Sequence, residues 1–338
     1  MKQAKIVSQE LMSKTLFDIF VKYKFTNEKA NLLSEVFTEN SLCGVTSHGI
    51  NRVPVLLDFI NKDLVDINAE VEKAETFGNI ERWDGNNGVG IINAVKCTNR
   101  AIELAKDHGM GIVALRNTNH WMRGGYYGWQ AAKKDCISIL FTNTKPNMPA
   151  WGGKELRLGN NPFIISIPRK KGHIVLDMAI SQFSFGKIND YKLNNKMLPY
   201  EGGWDNNNNL TKDPDAILKS ERSLPIGLWK GSALSMVLDM LATILSAGKS
   251  TYKLGLDEYE TGVSQVYMCI HQKTFNDSNL QENLLNEIIN FTHNITPTET
   301  GQKTFYPGER TLQVRQNNLE KGIPVDFRIW NTVLEFLK

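Results

Sequence analysis

The sequence predicts an α/β fold, a central sheet with flanking helical subdomains. Three observations carry this expectation. Short apolar runs, "GIVAL", "CISILFTN", "FIISIP" and "HIVLDMAI", have the length and composition of buried strands. Stretches with apolar residues at helical spacing stand between and around them. The chain has 338 residues, more than one core usually serves, so two or three subdomains are expected.

The elements follow in order. Leu11, Leu16, Ile19 and Phe20 give a first helix its inner face. "TNEKANLLSEVFTENSL" gives a second, with Thr26 or Asn27 as N-cap and Ala30, Leu33, Val36 and Phe37 turned inward. The stretch from Cys43 to Pro54 breaks the pattern and reads as a loose loop with Gly44 and Gly49, after which "VPVLLDFI" restarts a helix with Pro54 in its first turn. "GNIERWDGNNGVGIINAVKCTNRAIELAKDHGMGIVALRN" reads as strand, glycine-rich turn, long helix and strand. "GGWDNNNNLTKDP" is a polar surface loop. "IGLWKGSALSMVLDMLATILSAG" is a helix ending at Gly248. "VYMCI" is a strand, "NLLNEIINFTHNI" a helix and "YPGER" a loop before the last helices.

Composition excludes several classes. Apolar residues form 41% and charged residues 22% of the chain, the balance of a globular protein. The formal net charge of +3 is too small to argue for a nucleic-acid partner. The stretch Met1 to Ile6 lacks the apolar core of an export signal. Ala233 to Ala247 is the longest apolar run; it contains Asp239 and is too short for a bilayer, so a buried helix and no membrane partner are expected. Cys43, Cys97, Cys136 and Cys269 form no CxxC pair and read as reduced, buried thiols of a cytoplasmic protein. No HxH or HExxH spacing supports a metal-dependent hydrolase, and no metal site is expected.

No GxGxxG or Walker A loop is present. "GNNGVG", Gly85 to Gly90, can bind an anion at a helix start or serve as a plain turn. His108, His173, His271 and His293 stand in ordinary contexts. His48 and His120 differ, because "SHGINR" and "NHWMRGG" each join a histidine to glycine and arginine. Imidazole moves protons near neutral pH, and arginine can grip a carboxylate with two hydrogen bonds. On spacing alone, loop histidines satisfied by the backbone explain these stretches equally well.

"SHGINRVP", "NHWMRGGYYGWQAA", "LGNNPF", "VLDMAIS", "LWKGSALSMVLDML" and "PGER" occur in this order over nearly the whole chain. Together they resemble the malate/L-lactate dehydrogenase family, which binds NAD without a Rossmann fold. "NHWMRGGYYGWQAA" and "LWKGS" are most similar to members that reduce a six-carbon diketo sugar acid. The resemblance implies hydride transfer between NAD(H), with NADP possible, and C2 of a 2-keto acid. It implies His48 as proton donor, with His120 as a second catalytic histidine. Arg52 or Arg123 then holds the substrate carboxylate, and Asn119 and Thr144 make further contacts. It implies a cofactor site from His173, Ile174, Val175, Leu176, Asp177, Met178 and Ala179, with Trp229, Lys230, Gly308, Glu309 and Arg310. His173 departs from the less polar residue usual there.

The resemblance also implies a homodimer and three regions. Residues 1–75 carry the catalytic loop and pack with 310–338; residues 76–215 bind NAD; residues 216–309 complete the cofactor site. Malate, L-lactate or ureidoglycolate dehydrogenase activity is the alternative within the family. A non-catalytic sugar-acid binding protein is the alternative outside it.

Overall fold

A computed structural model describes residues 4–272, 277–299 and 301–338, so Met1 to Gln3 of the N-terminal stretch read above lie outside the described residues. Strand β1 (Ala4–Val7) leads into α1 (Gln9–Lys22). Ser8 caps α1, its hydroxyl accepting from the Leu11 N–H. Met12, Leu16, Ile19 and Phe20 turn inward, whereas Leu11, expected on that face, is 48% exposed. In α2 (Asn27–Leu42) Thr26 is the cap, and Ala30, Leu33, Val36 and Phe37 are buried.

The stretch after α2 is not a loose loop. Two 3-10 turns, Thr46–His48 and Ile50–Arg52, run straight into α3 (Val53–Asn61). Gly49 between them has an ordinary φ of −101°. It is needed for space: a Cβ there would lie 2.3 Å from Ser41 Oγ and 2.9 Å from Ser41 N.

Strands β2 (Glu72–Phe77) and β3 (Ile80–Asp84) precede α4 (Gly90–His108), which Gly109 ends at φ 85°, and β4 (Met110–Thr118). Next come α5 (Gly124–Ala132) and β5 (Cys136–Thr142). A small hairpin, β6 (Met148–Pro149) and β7 (Leu156–Leu158), precedes β8 (Phe163–Ile167) and β9 (Ile174–Met178). After α6 (Phe185–Leu193), the asparagine run is the tip of a second small hairpin, β10 (Gly203–Trp204) and β11 (Leu210–Thr211). Then follow α7 (Pro214–Ser220), α8 (Trp229–Ser246), α9 (Thr251–Leu256) and β12 (Val263–His271).

The main sheet runs β2-β3-β4-β12-β5-β8-β9. Only β3 and β4 are parallel, joined by α4 as one βαβ unit; the other pairs are antiparallel. β12 enters between β4 and β5, and β9 is left at the edge. Ala101, Leu115, Tyr127 and Tyr267 form the core beneath α4 and α5. Ala114, Phe141, Leu238 and Val266 form the core beneath α8.

The apolar run in α8 is helical but not buried throughout. Leu238 and Ala242 face the sheet, while Met236, Val237, Met240, Leu241 and Ile244 are exposed, Ile244 at 68%. The helix stops at Ala247, whose φ is +54°, one residue before the expected Gly248.

The chain continues through α10 (Ser278–His293), α11 (Glu309–Lys321), β13 (Ile323–Asp326) and α12 (Phe327–Glu335). β13 pairs with β1, and Trp330 and Val333 join Phe20, Phe37 and Leu57 in one apolar cluster.

Gly49→Ala is expected to lower the urea midpoint by the equivalent of about 1–3 kcal/mol, the usual cost of overpacking. An unchanged midpoint would mean that the turn and α2 separate without penalty.

Candidate active site

A cavity of about 410 Å³ opens where the first 3-10 turn, the start of α5, the loop after β5 and the edge strand β9 converge. His48 and His120 share it, their rings stacked with centroids 5.8 Å apart and planes 24° from parallel. The backbone of His48 is fixed by Asn40, whose amide donates to the His48 carbonyl at 3.0 Å. Ser47 Oγ lies 3.0 Å from His48 Nδ1.

His120 is held differently. The Met122 N–H donates to His120 Nδ1 at 2.9 Å. That nitrogen is therefore an acceptor, and the ring proton sits on Nε2. Met122 has φ +63°, an uncommon conformation for a long side chain.

Both rings are kept neutral. Burial, then the Arg52 charge, pulls the His48 pKa down to about 4, with Asp177 opposing and Arg123 assisting. Burial, Arg52 and His48 hold His120 well below the usual histidine range.

Arg123 is the residue just before α5, and its Nε donates to Asp177 Oδ2 at 3.2 Å. The contact needs glycine: a Cβ on Gly125 would stand 2.4 Å from Asp177 Oδ2, and one on Gly124 would stand 2.3 Å from Ile164. Of the two arginines considered for a substrate carboxylate, Arg123 already has a carboxylate partner. The Arg52 side chain has no hydrogen bond among the described residues. Arg52 lies behind His120 on a cavity of about 40 Å³, which Asn119 also lines.

Asn119 is not turned into the His48 cavity. Its amide donates to the carbonyls of Asn87 at 2.9 Å and Gly88 at 3.0 Å, so it staples the GNNG turn. Gly90 lets this turn abut the histidine loop, since a Cβ would lie 2.4 Å from the His120 carbonyl. Thr144 does line the cavity, its hydroxyl donating to Asn160 Oδ1 at 3.0 Å.

β9 is an edge strand of the main sheet. The Val175 N–H points away from the sheet and donates to Pro307 O at 2.9 Å. Alternation along the strand turns the main chain of Asp177 the same way. Val175, Leu176, Asp177, Ala179 and Gly308 all line the cavity. Gly308 has φ +96° and sits against the strand, where a Cβ would be 3.1 Å from Val175 N.

The remaining expected cofactor residues stand elsewhere. His173 faces a neighbouring cavity of about 420 Å³, and its Nδ1 accepts from the Arg169 N–H. Ile174 and Met178 pair with β8. Glu309 accepts from the Tyr306 N–H, and the Arg310 guanidinium lies 4.2 Å from the centre of the Phe305 ring. Trp229 and Lys230 are exposed at the start of α8 and line no part of the His48 cavity.

Ser47, Asn160, Ser184 and Thr311 line the cavity without having been singled out. "LGNNPF" was the one available signal for Asn160. No group of three or more His, Cys, Asp or Glu among the described residues is placed to hold a metal ion. None of the described helices is long and apolar enough to cross a membrane.

Comparison with known proteins gives a consistent result. The malate/L-lactate dehydrogenase family matches residues 7–334. The chain is 42% identical over 304 residues to 2,3-diketo-L-gulonate reductase of Escherichia fergusonii, covering 90% of this chain and 91% of the relative. It is 39% identical to the protein of that name from Haemophilus influenzae, covering 96% and 98%. Malate dehydrogenase from Entamoeba histolytica superposes with a TM-score of 0.93 at 24% identity, over 99% and 97% of the two chains. Sulfolactate dehydrogenase from Methanocaldococcus jannaschii superposes at 0.88 with 28% identity, over 98% and 96%.

The neutral histidines set a pH dependence. In the unfolded chain they take up protons near pH 6.5; in the folded chain His48 resists until about pH 4. Over that window the unfolded state binds more protons, so their contribution to stability is complete above about pH 6.5 and is lost as pH falls toward 4. His48→Gln is expected to flatten the fall in urea midpoint across this window. An undiminished slope would show that His48 is not the group being titrated.

Proposed function

We propose, from the premise that this chain belongs to the malate/L-lactate dehydrogenase family of oxidoreductases, that it reduces the C2 ketone of a 2-keto sugar acid, with 2,3-diketo-L-gulonate as substrate and NADH as reductant. One observation carries the chemistry: two stacked histidines, one free to gain a proton and one locked neutral, beside an arginine that has no side-chain hydrogen bond among the described residues. The substrate class rests on the relatives' name at about 40% identity over most of the chain.

The residues suit a dinucleotide. The outward main chain of β9 and the close turn at Gly308, which a Cβ would crowd, favour a flat ligand along the strand edge. A nicotinamide bound there supplies hydride to C2. Trp229 and Lys230 are assigned to the cofactor by their match to the family pattern, and Lys230 suits a pyrophosphate charge.

His48 carries the proton. With a pKa near 4 it is neutral in the free enzyme at pH 7, which suits a base in the oxidation direction. Reduction needs the imidazolium. Burial is the first cause that keeps the proton off His48 and the Arg52 charge the second; a substrate carboxylate beside Arg52 offsets the second, so binding favours protonation. His120 offers its Nε2–H to the ketone oxygen or a neighbouring hydroxyl and has no second proton to give. Ser47, Thr144, Asn160 and Asp177 surround the cavity with hydroxyl partners, which suits a polyhydroxy acid better than pyruvate.

The assembly we propose is a homodimer through the outer face of α8. Met236, Val237, Met240, Leu241 and Ile244 form an exposed apolar stripe, and Tyr252 and Leu256 of α9 are exposed as well. A stripe of this size marks a protein interface. Four buried, unpaired thiols agree with a reducing cytoplasm.

Steady-state assays with NADH test the substrate: kcat/KM for 2,3-diketo-L-gulonate should stand well above those for pyruvate and oxaloacetate. A preference for either small acid would remove the sugar-acid assignment but leave the reductase. His48→Ala should lower kcat by roughly 10²–10⁴ with NADH affinity little changed. Near-normal turnover would move the proton transfer to another group. Light scattering at micromolar concentration should return the mass of two chains, and Met240→Glu with Ile244→Glu should return one. A wild-type monomer would remove the dimer.

A further inference from the structure

Glu260 belongs to none of the motifs and to no step above. It lies in the acidic loop between α9 and β12, and that loop is tied down on two sides. On one side the Tyr259 ring meets Phe59 of α3 edge-on at 5.9 Å, and Lys62 Nζ stands 5.1 Å from the centre of the same ring. On the other side, the Lys145 ammonium donates to the Glu258 carbonyl at 2.8 Å, and the Lys145 N–H donates to Glu260 Oε2 at 2.9 Å. Lys145 directly follows Thr144 of the cavity wall.

These anchors bring Glu260 to the small cavity that Arg52 and His120 share. Arg52, Val55, Leu56 and Phe59 line it together, at the spacing of one helix face. We propose that Glu260 is a positioning residue: held by the Lys145 N–H, its carboxylate is the resident counter-charge that keeps Arg52 turned in beside His120, ready for the substrate carboxylate. The inference rests on the reading of Arg52 as the carboxylate clamp.

The physical case is desolvation. Burial disfavours the charge on Arg52, and Glu260 is the carboxylate that favours it. Burial pushes the Glu260 carboxyl up from its usual range, and the Lys145 N–H together with the charges of Arg52 and Lys145 opposes this and favours the carboxylate. A guanidinium has five donors, so one edge can face Glu260 while another receives the substrate. Without its counter-charge, a partly buried guanidinium beside two desolvated imidazoles is better solvated outside. The clamp then has to be re-formed by each incoming substrate.

Glu260→Gln keeps an oxygen acceptor for the Lys145 N–H and removes only the charge. It should raise KM for the keto acid about tenfold or more, with kcat within about threefold and NADH affinity, read by fluorescence titration, unchanged. Glu260→Asp should recover part of the loss. An unchanged or lowered KM would overturn the proposal, because Glu260 would then be a bystander or a competitor for Arg52. A second measurement is independent of turnover. Urea midpoints of Glu260→Gln, Arg52→Gln and the double variant should be non-additive, the double being less destabilised than the sum of the singles. Additive midpoints would overturn the pairing. If the wild type reduces no 2-keto acid, the functional reading fails, while the stability cycle still decides whether Glu260 and Arg52 act as a pair.

Discussion

The ion pair between Arg123 and Asp177 is the contact on which the site depends. It joins the first residue before α5 to the edge strand β9 at 3.2 Å. It exists because Gly124, Gly125 and Gly128 bring the helix down onto the sheet, where a side chain at any of the three would strike Ile164 or Asp177. The pair fixes the sign of the field in the cavity. Arg123 spends its charge on Asp177, so Arg52 is the less compensated cation near the histidines. Asp177 also favours a proton on His48. Removing Asp177 would leave the buried Arg123 guanidinium as an unpaired, desolvated charge, which costs several-fold more than the intact contact contributes.

The two histidines show how a single neighbouring group assigns a role. Burial and Arg52 depress both, so their intrinsic acidity does not separate them. Their partners do. Ser47 offers a hydroxyl, which can donate or accept, so His48 can change protonation state without losing the contact. Met122 offers an N–H, which can only donate, so protonating His120 at Nδ1 would put two hydrogens face to face. The positive φ at Met122 belongs to the turn that holds this arrangement.

Much of the fold was legible in the sequence because its signals are local. Thr26 as a cap and the strands at Ile112, Ile139, Ile164 and Val175 follow from spacing and side-chain type. The sheet order was not legible. β12 pairs with strands far back in the chain, and no local pattern records such a partner. The family resemblance pointed to His48 and His120 together, but nothing in their spacing says that the rings stack. Arg123 read equally well as a substrate clamp, because its partner lies on another element. The apolar run in α8 read as buried because composition reports how apolar a helix is, not how much of it the sheet can cover. A helix lying on a sheet buries one face, and the other side of α8 stays exposed although it too is apolar.

Gly49 and the GNNGVG turn make a related point about glycine. Both stretches invite a reading in terms of looseness or of phosphate binding, and both turn out to be places of close packing. An anion site at a glycine-rich turn works by leaving N–H groups free to face the ligand. Here the N–H groups from Gly85 to Gly88 are all donated within the protein, to Arg116, Asp84, Asn117 and Gly85 in turn. The turn instead presents carbonyls, and the Asn119 amide takes them. The same few glycines would serve either purpose. What separates an anion cradle from a structural turn is which half of the peptide group is left facing outward. At this site the carbonyls face Asn119, so the turn braces the His120 loop from behind while the edge of β9 remains open on the other side.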